Sequence, residues 1–71
     1  MKTVSDIVDS FGGVPAFAKF FNLPRATVHT WRRRNYLPPE RDVEVVSEAQ
    51  RRKINLTYED LAQMRHVLGA V

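Results

Sequence analysis

Residues 14–34, VPAFAKFFNLPRATVHTWRRR, decide how this chain of 71 residues is read. Val14, Phe17, Ala18 and Phe21 recur at i, i+3, i+4 and i+7, an apolar stripe along one face of a helix. Pro15 suits the first turn of that helix, where a missing N–H costs nothing. Asn22 follows the last apolar position. Asn tolerates positive φ better than other residues with a side chain, so it can end one helix and begin a sharp turn. Pro24 cannot extend the first helix but can open a second. In the second helix Val28 and Trp31 point one way. Ala26, His29, Thr30 and Arg33 fall at i, i+3, i+4 and i+7 on the other side, with Arg25 at the N-terminal end. One face packs, and the other offers hydrogen-bond donors, acceptors and methyl groups. A B-DNA major groove admits one helix and presents the complementary pattern.

Charge follows the same map. The net charge is +3. Residues 13–37 carry Lys19, Arg25, Arg32, Arg33 and Arg34 and no acid, whereas acids and bases nearly balance elsewhere. Arginines alone are ordinary solvated residues. Concentrated on one helical face beside a tight turn, they meet the requirement of a phosphate-facing surface.

Length and composition bound the rest. Seventy-one residues make one small domain, 1–71, near the lower limit for an independent core. A hydrophobic fraction of 44% is ordinary for a globular chain. The absence of cysteine excludes a disulfide framework and a thiolate metal site. No apolar run approaches a membrane span, and MKTVSDIVDS is too polar for a signal peptide. The expectation is a soluble, cytoplasmic, nucleoid-associated protein with no membrane partner.

Around the central stretch, three further helices are expected. Thr3 and Asp6 form a capping box, followed by a Val4, Ile7, Val8, Phe11 stripe and a stop at Gly12-Gly13. Pro39 can open a fourth helix with Val45, Val46 and Ala49 as its core face. Glu40, Asp42 and Glu44 lie near its start and Arg51, Arg52 and Lys53 near its end, an order that complements the helix dipole. That reads the second basic cluster as a solvated helix end rather than a DNA contact. Thr57 caps a fifth helix carrying Leu61, Met64, Arg65 and Leu68 and closed by Gly69. Leu61, Met64 and Leu68 either complete the core or face a second subunit.

The central stretch resembles the helix-turn-helix of phage Cro and C repressors and small prophage regulators. Ala18 matches the tight helix crossing, Asn22 the turn, Leu23 the residue after it, and Val28 and Trp31 the packing side. Arg34-Asn35-Tyr36-Leu37-Pro38 resembles the loop after the recognition helix in YdaS-like regulators. The resemblance covers roughly residues 4–50. It implies an all-α, five-helix lambda-repressor-like helix-turn-helix domain. Some Cro proteins end in strands, but Glu59 to Met64 favours helix by propensity.

For function, the resemblance implies a sequence-specific transcriptional regulator of the repressor type whose third helix reads the major groove of double-stranded DNA. The matching base-contact positions are Arg25, Ala26, His29 and Thr30. Thr27, Arg32, Arg33, Arg34 and Asn35 fall to phosphates. Relatives often clamp a phosphate with a Gln at the start of the second helix. Here Val14-Pro15 stands there, so the N–H groups of Gly13 and Val14 are the expected substitutes. Most relatives dimerise on half-sites about 34–36 Å apart, which implies a homodimer on an inverted-repeat operator. Tyr36, Leu61, Met64 and Leu68 are the candidate dimer contacts. Trp31 is in phase with Val28, so core packing is expected rather than base stacking.

Enzymatic chemistry is not expected: there is no Gly-rich phosphate loop, no His-rich metal spacing and no paired carboxylate that burial would perturb, since the adjacent Glu59 and Asp60 diverge on a helix. No cofactor, metal or small-molecule substrate is expected either. The competing classes are a protein-interaction module such as an antitoxin and a nonspecific nucleoid-type DNA binder.

Overall fold

Helix endings set this architecture. The computed structural model describes residues 2–69, with side chains through Arg65. Within them lie α1 (Val4–Ser10), α2 (Val14–Phe20), α3 (Arg25–Arg34), a 3₁₀ turn (Pro39–Arg41), α4 (Asp42–Arg51) and α5 (Tyr58–Gly69). The described residues are thus all-α, with no strand. No helix among them is long and apolar enough to cross a membrane.

The first four α-helices close alike. A residue at positive φ bonds back to the carbonyl three before it, and the next N–H reaches the carbonyl five before its own position. The positive-φ residues are Gly12, Asn22, Asn35 and Lys53. The longer bonds are Gly13 to Val8, Leu23 to Ala18, Tyr36 to Trp31 and Ile54 to Ala49, at 2.8–3.1 Å. They satisfy carbonyls that a helix end otherwise leaves without partners. Gly13 goes further, with φ 99° and ψ 179°, a region essentially reserved for glycine.

Helix starts are equally defined. Thr3 Oγ1 accepts from the Asp6 N–H at 3.1 Å, and Asp6 Oδ2 accepts from the Thr3 N–H at 3.0 Å. Thr57 and Asp60 repeat this box at the start of α5, at 3.0 and 3.1 Å. Lys2 donates to Asp60 at 3.2 Å and to the Asn55 carbonyl, tying the two helix starts together.

The core sits where the apolar stripes converge. Val4, Ile7 and Val8 of α1, Phe17 and Ala18 of α2, and Val28 of α3 are all buried. Phe17 packs edge-on to Phe11 (centroids 5.4 Å, 86°) and against Phe21 at 4.6 Å. Such aromatic pairs add about 0.5–1.5 kcal/mol each beyond area burial. Val45, Val46 and Ala49 bring in α4 as expected. Leu61 and Met64, offered by the sequence to either the core or a second subunit, are 0% and 2% exposed. They complete the core of this chain and leave the candidate dimer surface. The Leu68 side chain lies outside the described residues. Leu37 belongs to a segment read as a mere connection, yet it is fully buried.

Arg65 anchors α5 to the rest. It donates to Asp42 through both terminal nitrogens and to the Leu37 carbonyl at 3.0 and 3.2 Å. The Asp42 carboxylate raises the guanidinium above its ordinary range.

Candidate nucleic-acid interface

α3 is held by its inward face. Val28 is fully buried, and Trp31 meets Phe17 edge-on at 6.5 Å and 85°. Trp31 is therefore a packing residue, as its phase with Val28 predicts. The geometry leaves Arg25, Ala26, His29, Arg33 and Arg34 exposed, with Thr27 and Thr30 half-buried. Arg25, Ala26, His29 and Thr30 lie together on or beside one face of this helix. Thr30 Oγ1 donates to the Ala26 carbonyl at 3.0 Å. Its proton is thus engaged within the helix, so Thr30 offers a methyl and an acceptor outward.

Two residues first assigned to phosphates have partners on α1. Arg32 donates from Nε and Nη2 to Ser5 Oγ, at 3.2 and 2.9 Å. Asn35 accepts the Val4 N–H through Oδ1 at 2.9 Å. That N–H is an orphan donor of the α1 start, so Asn35 closes α3 with its backbone and caps α1 with its side chain. Its acceptor oxygen is spent, which leaves its NH₂. The N–H of Gly13 is likewise spent, on the Val8 carbonyl at 3.0 Å. That removes Gly13 from the phosphate role first given to it.

The arginines divide cleanly. Arg41 pairs with Glu44 at 2.7 Å, Arg51 and Arg52 with Glu48 at 3.2 and 2.8 Å, and Arg65 with Asp42. Among the described residues, no carboxylate pairs with Arg25, Arg32, Arg33 or Arg34. The guanidinium of Arg52 also lies 3.5 Å from the Phe20 ring centroid, covering an aromatic that is 36% exposed. Arg51 and Arg52 thus share one carboxylate at the end of α4, where the dipole argument places basic residues. Lys53 closes that helix with φ 59°.

Two shallow depressions flank α3. One runs along the α2–α3 turn, with Lys19 and Arg25 among its lining cations and Asn22 and Leu23 in its wall. The other lies between α1 and α3 and is lined by Ser5, His29, Arg32 and Arg33. Ser5 has no signature beyond its place in the first turn of α1, and reading the sequence missed it. Tyr36 is exposed at 45%. Comparison with protein-family models, curated proteins and solved structures finds no match to this chain.

Proposed function

We propose that this chain is a sequence-specific double-stranded DNA-binding regulator with a lambda-repressor-like helix-turn-helix, its α3 lying in the major groove. One observation carries the reading: the exposed face of α3 joins arginines lacking acid partners to small and polar side chains. Arg25 can fork to guanine O6 and N7, His29 can bond a base edge, and Ala26 and Thr30 can meet thymine methyls. Arg33, Arg34 and Lys19 supply phosphate contacts on the flanks. The helix start offers a positive dipole end to the same strands.

One such helix reads only a few base pairs, so the proposal includes a homodimer on an inverted repeat. Of the three candidate contacts whose side chains are described, Tyr36 is exposed and Leu61 and Met64 are buried.

The test is selection from a random duplex pool at two salt concentrations. An enriched inverted repeat is the expected outcome. Salt-sensitive binding without an enriched motif would replace the regulator with a nonspecific architectural protein. No binding at low salt would leave an interaction module, such as an antitoxin, as the better reading.

A further inference from the structure

We propose that the depression lined by Ser5, His29, Arg32 and Arg33 is a phosphate subsite that brings α1 into the DNA interface. It rests on the reading of α3 as the groove-entering helix and adds a residue from another element to it. The ligand chemistry is a phosphate oxyanion, and the source is a phosphodiester of the DNA backbone.

Donor bookkeeping carries the argument. A serine hydroxyl has two acceptor lone pairs and one donor. Both lone pairs of Ser5 Oγ face Arg32, through Nε and Nη2. The Ser5 O–H donates to no acceptor among the described residues and can serve a ligand. Arg32 spends two of its five N–H groups on Ser5, which fixes the plane of its guanidinium and leaves the others without a partner among the described residues. Arg33 has no acid partner among the described residues, and His29 lines the depression beside it. Nearby acids do not neutralise the cluster. Asp6 is engaged with the Thr3 N–H at 3.0 Å, and Asp9, one turn along α1 from Ser5, forms no ion pair among the described residues.

A site rich in donors and lacking carboxylates suits an oxyanion rather than a cation, and a planar arginine fork suits phosphate in particular. The depression is open to solvent and shared by two helices. It fits one group of a polymer running past the surface better than an enclosed small molecule. Holding Arg32 against Ser5 before binding also lowers the side-chain ordering cost of the contact.

The experiment uses the full chain and two variants, Ser5→Asp and Arg32→Gln. Asp in the first turn of α1 agrees with the helix dipole, so the fold is expected to persist. It places a carboxylate against Arg32 and fills the subsite from within. Far-UV circular dichroism checks the fold of both. Inorganic phosphate is titrated into ¹⁵N-labelled protein while the Arg32 and Arg33 Nε–H signals and the Ser5 amide are followed. A duplex of arbitrary sequence is then bound over a range of salt.

Wild type is expected to show the three signals moving together with phosphate, and Ser5→Asp to abolish that movement. Both variants should lower the salt slope of duplex binding by about one, equivalent to about tenfold weaker binding at about 0.1 M salt. Folded variants that keep the wild-type slope overturn the subsite while the groove reading stands. Phosphate-induced shifts without duplex binding overturn the DNA source and the groove reading together, leaving a subsite for a free phosphate compound.

Discussion

The four arginines of α3 and the four outside it share one chemistry and opposite circumstances. Outside α3, Arg41, Arg51, Arg52 and Arg65 each meet a carboxylate. Three of those pairs join residues three or four apart on one helical segment. Within α3, no acid occurs anywhere from Gly13 to Leu37, so no neighbouring turn can supply one. Counting basic residues does not separate these groups; asking where the nearest acid lies does. Clustered like charges mildly oppose folding. A bound phosphate strand would relieve that repulsion and release its own counterions.

The comparison makes a crossed forecast: α3 arginines matter to binding, and the others to stability. The largest effect is expected in α3. Arg25→Ala and His29→Ala should each lose about 1–3 kcal/mol of operator affinity and relax base preference. Thermal stability should stay within about 0.5 kcal/mol. Fluorescence anisotropy on the selected operator reads the first quantity and calorimetric melting the second. Wild-type affinity in both variants would remove α3 as the reading helix.

The converse variant is Arg65→Ala. It strands the half-buried Asp42 carboxylate and the Leu37 carbonyl, so a stability loss of about 1–2 kcal/mol is expected. The folded fraction should bind DNA as wild type does. Urea midpoints measure the loss, and an unchanged midpoint would mean that the pair does not hold α5 in place. Arg52→Ala should cost less, about 0.5–1 kcal/mol. It removes a partly exposed ion pair and the cation over Phe20. A fall in DNA affinity with Arg52→Ala would break the division between the two groups.

What the sequence reveals follows the range of the interaction. Thr3–Asp6, Gly12, Asn22 and the Thr57 cap are legible because each signal and its effect fall within a few residues. The apolar stripes are legible because helical periodicity is local too. Lys53 is not: lysine carries no preference for positive φ, and that turn is set by the Ile54 to Ala49 hydrogen bond and by packing of Ile54 on the core. Arg32 and Asn35 are basic or polar and sit at a helix end, so local reading sends both to phosphates. Their partners, Ser5 and Val4, lie 27 and 31 residues away. The same holds for Arg65, which joins an apolar stripe by spacing yet finds Asp42 at a separation of 23. The exposed polar and basic face of α3 is thus legible as a pattern, whereas the contacts that orient it are tertiary.

Acid gives the smallest and most graded test, because it acts on the two capping boxes rather than on either arginine group. Asp6 is held below its ordinary value of 3.8 by the Thr3 backbone N–H and hydroxyl. Asp60 is held below it by the Thr57 N–H and by Lys2. A carboxylate with a depressed folded value contributes stability above the ordinary value and loses it as pH falls through the lower one. Both capping boxes should therefore weaken below pH 3.8. Replacing both caps, Asp6→Asn with Asp60→Asn, should give a chain less stable at neutral pH whose stability falls less steeply toward about pH 2. Urea midpoints followed by circular dichroism across that range compare the two slopes. Parallel slopes would show that neither box titrates with folding.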